Sequence, residues 1–212
     1  MLKEIRIHGR GGQGAVTLAE LIAIASFYDG KEVQAFPSFG VERRGAPVES
    51  YVRISNKPIT RHDQVRNPDF LIILDETLLT NKNVYRGLDK GDLVIINSSK
   101  GIEEIKRFFK IYPDIKIYSL DAVSLGMEIL GKPIVNTALL GAFAAATKLI
   151  KIKAVEQAIR EKLKEKGEEM VKKNVILAQK AFDHINPKSK FLITPQSQEI
   201  APYSGERMGV TG

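Results

Sequence analysis

Residues 4–14, Glu-Ile-Arg-Ile-His-Gly-Arg-Gly-Gly-Gln-Gly, hold the densest chemistry in this 212-residue chain. Gly9, Gly11 and Gly14 stand at the spacing G-x-G-x-x-G, directly after a short alternating run and directly before an apolar-periodic one. A strand that turns on glycines into a helix brings backbone N–H groups close to a ligand at the positive end of that helix, which is chemistry for holding a phosphate. Arg10 adds a guanidinium that forks onto phosphate oxygens, and Gln13 adds a neutral donor, so the candidate binding set is Gly9, Arg10, Gly11, Gly12, Gln13 and Gly14. The competing reading is that the glycines serve only close packing of strand on helix, and the motif alone does not decide between the two.

A second group lies at residues 36–47, Phe-Pro-Ser-Phe-Gly-Val-Glu-Arg-Arg-Gly-Ala-Pro. Arg43 and Arg44 beside Gly45 suit an anionic ligand or a partner's carboxylates. Phe36 and Phe39 suit stacking on an aromatic base or anchoring an interface. The bland alternative pairs Glu42 with one of the arginines in a structural loop. Asp75-Glu76-Thr77 offers carboxylates for acid–base work, but with no His or Lys nearby the spacing favours a helix cap. Asn136-Thr137 also reads as a cap.

Several chemistries are missing. No carboxylate closes the second strand, Gln34-Ala-Phe36; Glu32 comes too early and Glu42 falls in the loop, so a ribose-binding acid for a nicotinamide cofactor is absent. Neither G-x-S-x-G nor G-x-x-x-x-G-K-[ST] occurs. With no cysteine there are no disulfides, no catalytic thiol and no ligands for an iron–sulfur cluster. His8, His62 and His184 have no partner at metal-binding spacing. No catalytic residue and no metal ligand is therefore assigned; the chain binds and positions.

The elements that must position these groups follow from periodicity. Strands are expected at residues 4–8, 33–36, 49–55, 70–74, 93–96 and 116–120, with 59–62 pairing back on 49–55 as a hairpin. The continuous apolar runs at 70–74 and 93–96 read as central parallel strands buried on both faces. Asp75, Asn97 and Asp121 follow strands, at the carboxyl edge of an open sheet. Helices are expected at 13–28, with Phe27 on its apolar face, and at 77–86, 101–109, 122–130, 138–150, 153–166 and 168–185. The fold class is α/β: a three-layer α/β/α Rossmann-like domain with a mostly parallel sheet over residues 1–186, then an extended C-terminal arm at 187–212, rich in Pro and Ser.

Composition agrees with a globular domain: 43% hydrophobic, 27% charged, net charge +7. No run of apolar residues is long enough to span a membrane, and the charged, alternating start does not read as a signal peptide, so a cytoplasmic protein is expected. The basic surface suits phosphorylated ligands or an acidic partner subunit; the cations are not interleaved with aromatics, which argues against nucleic acid.

Taken together, residues 7–20 with Asp29-Gly-Lys, residues 34–47, Asn67-Pro-Asp, Asp75-Glu-Thr-Leu-Leu79, and Asn136-Thr137 with Leu140-Gly141 resemble the gamma subunit of pyruvate:ferredoxin oxidoreductase, over roughly residues 3–185. The resemblance implies a 2-oxoacid:ferredoxin oxidoreductase (pyruvate synthase) complex that decarboxylates pyruvate on thiamine diphosphate, passes electrons through iron–sulfur clusters to ferredoxin and forms acetyl-CoA, or runs in reverse. It implies alpha, beta and delta-type partner subunits that carry the thiamine diphosphate, magnesium and clusters, leaving none held by this chain alone and an isolated chain without activity. The expectation for this chain is contact with coenzyme A phosphates through residues 9–14, helped by Arg43 or Arg44. The alternatives are a gamma subunit for 2-oxoisovalerate, 2-oxoglutarate or indolepyruvate, or a purely structural assembly subunit. The arm, with Phe191, Leu192, Ile193 and Tyr203, is expected to order against a partner.

Overall fold

The computed structural model describes residues 1–38, 44–110, 112 and 114–186. Six strands form one mixed sheet: β1 (Lys3–Arg10), β2 (Glu32–Pro37), β3 (Pro47–Ser55), β4 (Phe70–Ile73), β5 (Leu93–Asn97) and β6 (Lys116–Leu120). Their order is β2-β3-β1-β4-β5-β6. β1, β4, β5 and β6 run parallel, while β3 is antiparallel to both β1 and β2. The expected hairpin at 59–62 does not form: β3 pairs on both sides with β1 and β2, so no free edge remains for it.

One face of the sheet is covered by α1 (Ala15–Tyr28), α3 (Ala122–Leu130), α4 (Asn136–Thr147), α5 (Ile152–Leu163) and α6 (Glu168–Ile185). Ile5, Ile7, Val52, Ile54, Ile72 and Ile95 point into that layer and are fully or almost fully buried. The opposite face, carrying Leu71, Ile73, Val94 and Ile96, packs under short elements: 3-10 turns at Glu76–Thr80 and Lys82–Tyr85, α2 (Ile102–Lys106), and Phe109. The chain is thus the expected three-layer α/β/α Rossmann-like domain. Both faces of β4 and β5 are buried, which is why those strands read as unbroken apolar runs.

Local differences have local causes. The helix expected over 77–86 splits into two 3-10 turns because Asp75 and then Asn81 each accept a backbone N–H two residues on, restarting the chain at Asn81. The 101–109 helix is likewise α2 followed by a 3-10 turn. α4 begins at Asn136 and its first helical bond reaches back to Val135, so Val135 holds the cap position expected for Asn136. Phe27 is 69% exposed, on the side of α1 away from the core. The α4–α6 contact is so close that a Cβ at Gly141 would stand 2.0 Å from the carbonyl oxygen of Ala178. Residues 187–212, the expected arm, lie outside the described residues, as do Phe39, Glu42 and Arg43.

Candidate functional site

β1 delivers the glycine turn to the carboxyl edge of the parallel strands. Gly9 is still in the strand; a Cβ there would come within 3.2 Å of the Ala15 methyl, so this glycine serves strand–helix packing. Gly11 is stitched to the segment before β3, donating its N–H to Ala46 at 2.8 Å and accepting from Gly45 at 3.1 Å. Gly12 (φ 91°) and Gly14 (φ 87°) adopt left-handed conformations that strain any other residue. Gly14 caps α1 without a side chain, so no side-chain hydrogen bond caps the N-terminus of that helix. A Cβ on Gly14 would stand 2.8 Å from Asn136 Nδ2, the first residue of α4. Two helix N-termini therefore begin at one point, and both place partial positive charge there.

Arg10 and Gln13 turn toward β4. Arg10 Nε lies 3.0 Å from Asp75 Oδ2, and its remaining donors reach Thr77 Oγ1 at 2.7 Å and the Gly45 carbonyl at 3.2 Å. Gln13 donates to Asp75 Oδ2 at 2.8 Å and accepts from the Arg10 N–H at 2.8 Å. Burial alone would raise the Asp75 carboxyl; hydrogen bonds from Thr77 and Gln13 and the Arg10 charge outweigh it and hold it below the ordinary carboxylate value. Asp75 also caps the following 3-10 turn, as the spacing suggested. Arg44 forms no ion pair among the described residues, and its Cγ lies 3.9 Å from where a Cβ on Gly12 would be.

Beside the turn, a cleft of about 440 Å³ opens along the strand ends, lined by Gln13, Asp75, Glu76, Asn97, Ser98 and Asp121 among others. Its polar groups are largely satisfied. Asn97 bridges the Leu74 carbonyl (2.9 Å) and the Ala122 N–H (3.0 Å), Asp121 caps α3, and the Glu76 carboxylate accepts from Ser98 Oγ. The cleft is acidic, so an anion is favoured at the turn and at Arg44 rather than within it.

Sequence reasoning missed a buried polar ladder on the antiparallel half of the sheet. Glu4, Arg6 and His8 on β1 stand opposite Arg53, Tyr51 and Glu49 on β3. Arg53 is fully buried and bonds Glu4 at 2.8 Å, Gln34 at 3.1 Å and the Asp63 carbonyl at 2.6 Å. Arg6 gathers the carbonyls of Val65, Arg66, Val84 and Arg86. His8 lies 3.7 Å from Glu49, its Nε2 has no partner, and burial lowers its pKa to about 4, against the pull of Glu49. Burial and the Glu49 hydrogen bond push Tyr51 up to about 12. Within the chain the Phe36 ring packs at a tilt on Tyr51 (5.2 Å) and lies under Arg53 (5.4 Å). The available signal was period-two polarity in two strands, Glu4-x-Arg6-x-His8 and Glu49-x-Tyr51-x-Arg53.

The structure thus brings Arg10, Gln13, Gly12, Gly14 and Arg44 together. Among the described residues no group of three His, Asp or Glu side chains could hold a metal ion, and no helix is long and apolar enough to cross a membrane.

Known proteins resemble this chain in sequence and in fold. The family profile for pyruvate ferredoxin/flavodoxin oxidoreductase matches residues 4–184. The chain is 49% identical over 180 residues to the pyruvate/ketoisovalerate oxidoreductases common subunit gamma of Thermococcus litoralis, covering 85% of this chain and 95% of that one. It superposes on the pyruvate oxidoreductase subunit PORC of Thermotoga maritima with a TM-score of 0.76 at 31% identity, covering 86% of this chain and 96% of the other. The fold also recurs in the 2-oxoglutarate:ferredoxin oxidoreductase of Magnetococcus marinus, solved with 2-oxoglutarate, coenzyme A and succinyl-CoA bound: TM-score 0.69, 23% identity, 91% of this chain and 32% of that one.

Proposed function

The chain belongs to the pyruvate ferredoxin/flavodoxin oxidoreductase family as a gamma-type subunit of a multisubunit 2-oxoacid:ferredoxin oxidoreductase, and from that premise we propose its part in the reaction. It supports the conversion of pyruvate and coenzyme A to acetyl-CoA and carbon dioxide, with two electrons passing to ferredoxin, and the reverse carboxylation. Its own contribution is to grip coenzyme A phosphates at the glycine turn. Thiamine diphosphate, magnesium and iron–sulfur clusters belong to companion alpha, beta and delta-type subunits; a chain without cysteine offers a cluster no thiolate.

The observation that carries this reading is the convergence of the α1 and α4 N-termini on a turn that no side chain caps, Arg44 alongside. An anion there meets two helix dipoles and a guanidinium, and among the described residues no carboxylate ends β2, where a nicotinamide cofactor needs one for its ribose. A second acid is favoured by one finding: the Thermococcus litoralis relative is named for both pyruvate and ketoisovalerate, so one gamma subunit serving two 2-oxoacids is the companion reading.

The test is anaerobic purification of the native complex, identification of its partner chains, and calorimetric titration with coenzyme A. Gly14→Ala, which strains the turn and pushes on Asn136, is expected to weaken coenzyme A binding at least tenfold while the subunits still co-purify. Unchanged affinity would make the turn structural. Turnover of a 2-oxoacid by the lone chain would overturn the whole reading.

A further inference from the structure

The two side chains that sequence places on the ligand are held by a residue 65 and 62 positions away. Asp75 Oδ2 accepts from Arg10 Nε and Gln13 Nε2; Oδ1 accepts from the Thr77 N–H at 2.9 Å and Thr77 Oγ1 at 2.6 Å. A carboxylate offers about four acceptor positions, so Asp75 is saturated. Arg10 is equally committed, to Asp75, Thr77 and the Gly45 carbonyl. Through these bonds one carboxylate ties together the glycine turn, the segment entering β3 and the 3-10 turn after β4.

Resting on the coenzyme A reading above, we propose that Asp75 is the positioning residue of the anion site: it holds Arg10 and Gln13 as struts, and the phosphate is met by the N–H groups of Gly12, Gly14 and the first turn of α1, and by Arg44. Two physical arguments carry this. Moving Arg10 onto a phosphate would break three contacts and leave the Asp75 charge, whose side chain is only 16% exposed, without its counter-ion. And a bare carboxylate this close to the turn would repel the incoming anion, so Arg10 serves the site best by neutralising it.

The experiment is a double-mutant cycle in the reconstituted complex, with coenzyme A affinity read by calorimetry and Michaelis constants measured in parallel. Asp75→Asn keeps the shape and an acceptor for Gln13 but removes the charge; Arg10→Gln removes the other half of the pair. Each is expected to weaken coenzyme A about tenfold, and the double variant no further than either alone. The KM for the 2-oxoacid should not follow, which a general loss of structure would not spare. Thr77→Val, at the exposed rim of the clasp, should weaken coenzyme A about threefold and covers the case that a charge variant fails to fold. Strictly additive losses, or a loss with Arg10→Gln and none with Asp75→Asn, would make Arg10 a ligand and overturn the proposal. Gly14→Ala separates the two claims. If it weakens coenzyme A and the Asp75 and Thr77 variants do not, only the clasp falls; if it has no effect, the coenzyme A reading falls and the clasp with it.

Discussion

The parallel and antiparallel halves of this sheet are held by different physics. β4 and β5 bury Leu71, Ile72, Ile73, Val94, Ile95 and Ile96 between two layers, an arrangement driven by removal of apolar surface from water. On one face of β1 and β3 burial is given instead to Arg6, His8, Tyr51 and Arg53, with Glu4 half-buried beside them; Arg53, Arg6 and Tyr51 have specific partners, while His8 Nε2 and Arg6 Nε have none. The apolar half needs no specific partner and is indifferent to pH. The polar half differs on both counts, because a buried charge without its partner costs far more than a lost methyl group. It is also the half that carries the segment from Gly45 to Pro47 against the glycine turn, so the more demanding chemistry stands beside the proposed binding site.

The contrast is open to measurement, and the largest effect should come from its most buried charge. Arg53→Met is expected to cost about 4 kcal/mol in urea unfolding at neutral pH, since Glu4 and two backbone carbonyls lose their donor. A cost below that of a single methyl would mean the ladder is not what holds β3. Acid should act next, through His8. The fold favours neutral His8, so its stability is complete above the unfolded value near 6.5 and is lost as pH falls toward about 4. Between pH 7.5 and pH 5 the protein should lose about 2 kcal/mol more than His8→Leu; parallel pH profiles for the two would remove His8 from the account. Charged neighbours on the same strands, Arg6 and Glu49, enter both profiles alike.

In the apolar half Ile72→Val should cost about 1 kcal/mol by chemical denaturation, equally at pH 7.5 and pH 5. A pH-dependent cost would show that the two halves are not separable. The smallest effect belongs to Phe27→Ser, on the solvent side of α1, expected within about 0.5 kcal/mol of the parent. A larger change in thermal unfolding would show that this exposed ring is packed in solution.

How much of this was legible in the sequence follows the same division. Apolar runs such as Phe-Leu-Ile-Ile at 70–73 announce buried strands because the hydrophobic effect needs only residue type and period. The helix over 168–185 was readable for the same reason, and the turn and the carboxylates at strand ends from residue type and spacing. The burial of Arg6 and Arg53 was not legible, since nothing local to them reveals the carbonyls that descend from residues 61–66 and 84–86. Arg10 and Gln13 looked free because Asp75 lies far along the chain. Where two short-range choices compete, as with the Asp75 and Asn81 side chains against continued α-helix over 77–86, period alone picked the wrong one.

The contact at Gly141 has a mechanical consequence. There the backbones of α4 and α6 touch with no side chain between them, and α4 begins beside Gly14. A joint without a compressible cushion passes displacement on instead of absorbing it. A shift of α6 is therefore passed to α4, a rod about three turns long whose first residue stands against Gly14.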